Sequence, residues 1–308
     1  MNKLVIGTRK SRLARIQTTL VTNMLREKYP ELTIEEKCIE TKGDRILDSS
    51  LSKIGDKGLF TKEIEKCLLD GSIDCAVHSY KDLPTALPPG LHLAAVIKRG
   101  PCGDVLVGKE GASLATLPPG ACIGTDSLRR RAQLTHHRPD LKVKSIRGNV
   151  DTRLGKLDDG LYDALILAEA GLARLDLRNR ISSSLDPSIW YHAVSQGAMV
   201  VEIREDNRPA RALLESLDHP ETRRATDAER SVLRELEGGC QVPIGVRTAI
   251  ERESLSLFAM VAGINGTPFL EETLEGPPDT AQSLGKEVAR RLLEQGADTI
   301  LKEIERNR

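Results

Sequence analysis

The amino-acid sequence predicts an α/β fold with a smaller α+β region toward its C-terminal end, and three observations carry that prediction. Short apolar runs of strand length recur at residues 4–7, 73–77, 93–97, 105–107, 122–124 and 164–167. Runs of that length mark buried strands. Helical periodicity lies between several of them. After Gly238-Gly239 the style changes: residues 246–250, 255–264 and 269–274 read as neighbouring strands, followed by a helix from Thr280 onward.

The helices are legible from spacing. In residues 11–28, Leu13, Ile16, Leu20, Met24 and Leu25 recur close to every 3.6 residues, and Ser11 is placed to cap the helix. A second helix, 61–69, has Ile64, Leu68 and Leu69 on one side and ends at Asp70-Gly71. A third runs over 221–237. The pattern breaks at 98–103, where Arg-Gly-Pro-Cys-Gly interrupts it, and at His219-Pro220, so the chain reads as three compact units.

Composition excludes whole classes of function. The 308 residues are 39% hydrophobic and 29% charged, the balance of a chain that folds into sizeable cores. Lys plus Arg and Asp plus Glu are equal at 45 each, so no overall field favours nucleic acid or an anionic membrane, and affinity for anions must be local. Cys38, Cys67, Cys75, Cys102, Cys122 and Cys240 are scattered without C-x-x-C pairs, which fits a reducing cytoplasm. The four-residue apolar run within residues 1–8 is too short for a signal peptide or a span and reads as a first strand. No metal is expected, since His136-His137 and the cysteines lack zinc spacing. Neither a P-loop nor a G-x-G-x-x-G fingerprint is present.

Ligands of open parallel sheets sit beyond the carboxyl ends of the strands. Here those junctions combine hydroxyls with cations: Gly7-Thr8-Arg9-Lys10-Ser11, His78-Ser79-Tyr80-Lys81-Asp82 and Gly124-Thr125-Asp126-Ser127-Leu128-Arg129-Arg130-Arg131. Arg147-Gly148-Asn149-Val150-Asp151-Thr152-Arg153 and Lys53-Ile54-Gly55-Asp56-Lys57-Gly58 add two more. Residues 129–153 hold eight Arg or Lys against two Asp, a local concentration in a neutral protein. Arginine's planar fork suits carboxylate or phosphate, and helix N-termini add donors, so several anionic groups are expected to be held together. The alternative for such a run is a solvated helix face. Asp82, a carboxylate among cations, is suited to stabilising a developing positive charge, and equally to capping a turn. His78 reads as a structural histidine. In Glu237-Gly238-Gly239-Cys240-Gln241 a cysteine sits in a turn where a thiolate would be accessible, although a lone cysteine is usually a small buried hydrophobe.

Taken together, these motifs resemble the porphobilinogen deaminase (hydroxymethylbilane synthase) family over nearly the full chain. The resemblance rests on Gly7-Thr8-Arg9, His78-Ser79-Tyr80-Lys81-Asp82-Leu83-Pro84, Leu128-Arg129-Arg130, Arg147-Gly148-Asn149-Val150, the stretch LILAEAGLARL ending at Leu175, Gln196-Gly197-Ala198 and EGGCQVPIG around Cys240. Asp126 stands where the family commonly has serine, Ser195 where it has glycine and Tyr80 where it has methionine. The resemblance implies two periplasmic-binding-protein-like α/β domains with a cleft, residues 1–98 with 198–217 and residues 103–193. It also implies a smaller α+β domain, 220–308, that presents Cys240.

It further implies that Cys240 carries a dipyrromethane through a thioether and that four porphobilinogen molecules are joined on this primer, with loss of ammonia, into the linear tetrapyrrole hydroxymethylbilane. Each substrate loses ammonia to an azafulvene, which the free α-carbon of the terminal pyrrole attacks, and Asp82 serves the cationic stages. Each pyrrole brings an acetate and a propionate, so the growing chain is a polyanion. By family match, Arg9, Ser11, Lys81, Ser127, Arg129, Arg130, Arg147, Arg153 and Arg174 contact those side chains, with Thr125 and Gln196 as further candidates. On this reading Asp82→Asn abolishes turnover, and Arg129→His impairs primer assembly or chain growth. A monomer working on a small molecule is implied, with no nucleic acid or membrane partner, its product passing to uroporphyrinogen-III synthase.

Two other readings stay open on the residues alone. A two-lobed anion-binding protein accounts for the strand-end cations and leaves Cys240 and the last domain unexplained. A nucleic-acid module using residues 129–153 is opposed by the neutral charge and by an aromatic content of 3%.

Overall fold

The computed structural model describes residues 1–45, 58, 60–236 and 242–306. Cys240 and the cationic stretch from Lys53 to Lys57 lie outside the described residues. In chain order, β1 (Lys3–Arg9), α1 (Arg12–Lys28), β2 (Thr33–Ile39), α2 (Lys42–Arg45), α3 (Lys62–Leu69), β3 (Cys75–Ser79) and β4 (Leu91–Ile97) come first. Next come β5 (Asp104–Gly108), β6 (Cys122–Gly124), α4 (Leu128–His137), β7 (Lys142–Lys144), α5 (Val150–Asp158), β8 (Ala164–Ala168), α6 (Glu169–Arg174) and β9 (Ser183–Ser184). The last are β10 (Met199–Arg204), α7 (Arg208–Leu214), α8 (Pro220–Glu235), β11 (Ile244–Glu251), β12 (Ser254–Ala262), β13 (Phe269–Gly276), α9 (Ala281–Glu294) and α10 (Ala297–Arg306).

The described residues form two compact units. One holds the chain up to Gly100 together with Gly197–Arg223, and the other holds Pro101–Gln196 with the described residues from Arg224 onward. The first unit is built on a five-stranded sheet in the order β2-β1-β3-β10-β4. Its strands β1, β2 and β3 run parallel, and β10 is antiparallel to both neighbours. Leu4 and Ile6 of β1, Val201 and Ile203 of β10, and Val21 and Leu25 of α1 close its main core. Ser11 starts α1 by accepting the Ala14 amide at 3.3 Å, but the helix buries Ala14, Gln17, Thr18, Val21, Thr22 and Leu25 rather than the stripe expected from spacing. Of that stripe Leu25 is buried and Leu20 is 40% exposed, as is Leu69 of α3 at 45%.

The second unit contains two sheets. One is ordered β7-β6-β8-β5-β9, again with three parallel strands and one strand, β5, antiparallel to both neighbours. Its two faces bury alternate residues of the same strands: Leu106, Ile123 and Ile166 on one, Val105, Val107, Leu165 and Leu167 on the other. Such two-sided burial is why these strands read as continuous apolar runs. The other sheet, β11-β12-β13, is wholly antiparallel, and α9 and α10 cover one face through Val288, Leu292 and Ile300. His192 and Val246 exchange backbone hydrogen bonds of 3.1 and 2.9 Å, tying the segment after β9 to β11.

The α/β class with an α+β region is therefore what the three sheets display. Strand β3 begins two residues later than the apolar run, at Cys75; just ahead of it Asp74 accepts the Val5 amide through its carboxylate at 2.8 Å. Patterning passes over β2, β7 and β9, which are polar or very short, and over β10, where Glu202 interrupts an apolar run. Among the described residues, no helix is long and apolar enough to cross a membrane.

Candidate active site

In the first unit the site residues come from the ends of β1 and β3. Gly7 is closely packed there: a Cβ would stand 2.4 Å from Ile73 Cδ1. Two residues on, Arg9 donates from Nη2 and Nε to Asp44, and its guanidinium lies 4.2 Å above the Phe60 ring. Burial pushes the Asp44 carboxyl up, but hydrogen bonds from Arg9 and from Thr41 outweigh that and leave it below the ordinary carboxylate range.

At the end of β3, Ser79 Oγ accepts from Gln17 Nε2 at 2.8 Å, and the chain turns through a single 3-10 turn, Tyr80–Asp82. Tyr80 and Leu83 are buried on either side of that turn, and the Tyr80 amide donates to Ala198 O at 3.1 Å. The anchored neighbours leave Lys81 half-buried and Asp82 exposed. His78 points instead into the core, with Nε2 3.1 Å from Glu202 Oε2, so its structural reading holds.

The second unit repeats the first junction in outline. Gly124 ends β6 where a Cβ would meet Leu165 Cδ2 at 2.5 Å, Thr125 Oγ1 accepts the Ser127 amide at 3.3 Å, and Ser127 caps α4 through the Arg130 amide at 3.4 Å. The first turn of α4 then places Arg129 and Arg130, only 4% and 7% exposed, against Asp104 at the start of β5. Arg129 Nη1 donates to Asp104 Oδ2 at 2.8 Å and Arg130 Nη2 to Oδ1 at 2.7 Å. Trp190 Nε1 adds a bond to Oδ2 at 3.0 Å, and Gln196 Nε2 one to Oδ1 at 2.8 Å. Burial pushes the Asp104 carboxyl up, yet the two guanidiniums hold it well below the usual range. Burial also lowers the Arg129 guanidinium, which Asp104 partly restores.

The remaining cations of this unit sit at other junctions. Arg147 Nη1 is 3.4 Å from Asp126 Oδ2, and Ser145 Oγ donates to the other oxygen of Asp126 at 2.6 Å. Arg153 Nε donates to Gly148 O at 2.8 Å, where Gly148 holds a φ of 116° and a Cβ would strike Thr152 at 2.6 Å. Arg174 ends α6 half-buried, and burial pushes its guanidinium down to about 10, still protonated at neutral pH.

The structure thus brings Arg129, Arg130 and Gln196 together, and separately places Lys81 and Asp82 on one turn, Thr125 and Ser127 on another, and Arg9 and Ser11 on a third. The cationic run 129–153 is not one patch. Arg129 and Arg130 turn inward, Arg138 pairs with Asp140 at the surface, and Lys144 lies 5.1 Å from the Tyr162 ring. Three carboxylates hold proposed ligand-binding arginines: Asp44 and Asp104, which sequence reading missed, and Asp126, which it named without its Arg147 partner. Asp104 carried a signal, a charged residue opening the apolar run 105–107 of a strand with two buried faces.

Two family models match: "Porphobilinogen deaminase, dipyromethane cofactor binding domain" over residues 4–212, and "Porphobilinogen deaminase, C-terminal domain" over residues 224–294. A porphobilinogen deaminase of Desulforudis audaxviator is 50% identical over 299 residues, 97% of this chain and 97% of its own. That of Synechococcus elongatus is 50% identical over 302 residues, 97% of this chain and 94% of its own. Among solved structures, the methionine binding protein MetQ is 13% identical with a TM-score of 0.44, covering 74% of this chain and 95% of its own, a likeness too loose for anything to rest on. With both models matched in order and half the residues shared along nearly the whole length of these relatives, this chain belongs to the porphobilinogen deaminase family.

Proposed function

We propose that this chain condenses four porphobilinogen molecules head to tail into hydroxymethylbilane, with release of ammonia, on a dipyrromethane primer bound to Cys240 through a thioether, and that Asp82 is its catalytic residue. The observation that carries the reading is the pair of family models, of which the first, over residues 4–212, is a dipyrromethane-binding domain. The donor set suits that group. Acetate and propionate side chains need guanidinium and hydroxyl partners, and Arg130 Nε is a buried donor without a hydrogen-bond partner among the described residues.

When bound, the primer supplies a terminal pyrrole with a free α-carbon for chain growth. Arg9, Lys81, Arg129, Arg130, Arg147, Arg153 and Arg174, with Ser11, Thr125, Ser127 and Gln196, hold the carboxylates of primer and substrate. Asp82, presented to solvent by the buried Tyr80 and Leu83, accepts hydrogen bonds from pyrrole N–H groups and stabilises the positive charge that develops as ammonia departs. A neutral amide there would lack the charge. Within the second unit we take the sheet β7-β6-β8-β5-β9 and the sheet β11-β12-β13 as separate domains, the latter carrying Cys240. The enzyme works as a monomer in the cytoplasm and passes its product to uroporphyrinogen-III synthase.

The test is the intact mass of the purified protein with peptide mapping around Cys240. An added mass of two pyrrole units on Cys240 is expected. A free thiol that stays unmodified after exposure to porphobilinogen overturns the reading and leaves an anion-binding protein in its place.

A further inference from the structure

We propose that Asp104 is a positioning residue of this enzyme: it orients Arg129, Arg130 and Gln196 for anionic ligands without touching those ligands itself. The inference rests on the reading of these three residues as ligand-binding and adds the group that sets their geometry.

A carboxylate offers about four acceptor positions, two on each oxygen. Asp104 uses two on Oδ1, for Arg130 and Gln196, and two on Oδ2, for Arg129 and Trp190. Saturated in this way and 1% exposed, it has no capacity left for substrate. Its donors come from distant parts of the chain: the first turn of α4, Trp190, and Gln196. A single buried oxygen pair thus sets the relative orientation of three side chains that local structure leaves independent. The arginines are held from behind as well, since Arg129 Nη1 also donates to Tyr191 O and Arg130 Nη1 to Ile166 O.

Charge points the same way. Two guanidiniums share one carboxylate among the described residues, so the buried group keeps a formal excess of one positive charge. Excess charge in a low-dielectric interior is costly unless an anion completes it. The buried Nε of Arg130, unpartnered among the described residues, is a further donor for that anion.

The experiment compares Asp104→Asn, Arg130→Lys and the double variant in the full-length enzyme, measuring kcat/KM for porphobilinogen, intact adduct mass and thermal unfolding. The amide keeps the shape but removes the charge and turns one acceptor into a donor. Expected are a cooperative melt and a fall in kcat/KM of about 100-fold or more. The double variant should lose less than the product of the two single losses, because part of what Asp104 orients is already gone while Arg129 and Gln196 remain. A folded Asp104→Asn with wild-type kcat/KM, or losses that multiply in the double variant, overturns the proposal. If Asp104→Asn does not fold, Asp104→Glu carries the test: it keeps the charge but displaces the oxygens by one methylene. A loss of about 10-fold is then expected, and full activity is the overturning result. Should Arg130→Lys itself retain wild-type kcat/KM, the ligand-binding reading of the arginine fails. If Arg130→Lys loses activity and Asp104→Asn does not, only the positioning role fails.

Discussion

The two five-stranded sheets are built to one plan and bury different polar groups. Each has three parallel strands beside one strand antiparallel to both neighbours, and in each a Gly-Thr pair at the end of one parallel strand, Gly7-Thr8 in β1 and Gly124-Thr125 at β6, precedes a serine-capped helix. The second buries two guanidiniums around one carboxylate whose four acceptor positions are all filled. The first buries His78 with two carboxylates, Glu65 and Glu202, and among the described residues three of their four oxygens have no hydrogen-bond partner. Common topology therefore sets where strand ends fall, while the identity of the buried polar groups is set by a few side chains that topology does not constrain. The exposed acid Asp82 follows β3 of the first sheet, and the buried Arg129 and Arg130 lie against Asp104 of the second.

Four substitutions break or sharpen this contrast. The largest effect is expected at Asp82. Asp82→Asn should lower single-turnover rates at least ~100-fold, because the charge that stabilises cationic stages is gone. As an exposed residue it should leave stability within about 0.5 kcal/mol. A primer-loaded variant that turns over near the wild-type rate removes Asp82 from catalysis.

Next is Arg130→Met, which takes one of two cations from Asp104 and should destabilise the fold by roughly 3 kcal/mol in urea unfolding. A cost under about 1 kcal/mol would mean that Arg129, Trp190 and Gln196 suffice for the carboxylate.

Glu65→Gln tests the first sheet. Burial raises the Glu65 carboxyl, and the nearby Glu202 charge adds to it. A raised folded-state pKa means that stability is fully present below the unfolded pKa and is lost as pH rises through the folded one. The permanently neutral glutamine avoids that loss. Stability should rise on the order of 1 kcal/mol at about pH 8 and hardly change at about pH 4. A gain that is equal at both pH values would show that Glu65 is already neutral or already satisfied.

The smallest effect is expected at Ser195, whose φ of 60° lies in the left-handed region and whose buried Oγ has no partner among the described residues. Ser195→Gly relieves both, less the extra freedom glycine gains on unfolding, for a net gain of up to about 1 kcal/mol. The Ser195 amide, which donates to Glu229 Oε2 at 2.7 Å, is retained. A lower melting temperature would show that the hydroxyl matters to the packing there.

Much of this was open to reading from the chain. The apolar runs at 105–107, 122–124 and 164–167 became β5, β6 and β8, because a strand buried on both faces has to be apolar throughout. Ser11 caps α1 as its position suggested, since capping is decided within four residues. The motifs that carried the family resemblance are local strings, which a sequence displays directly. Edge strand β2 was missed because a strand exposed on both sides need not be apolar.

The sequence by itself determined the class of the fold, the capped helices, the strand-end hydroxyls and cations, and the family. Only the tertiary structure decided what those cations touch. Asp44, Asp104 and Asp126 stand 35, 25 or 26, and 21 residues from the arginines they hold. Over such distances no helical or strand periodicity relates two side chains. Which arginine turns inward depends on where a carboxylate is buried without water, and burial is a property of the packed sheet and its helices, fixed only when distant segments meet.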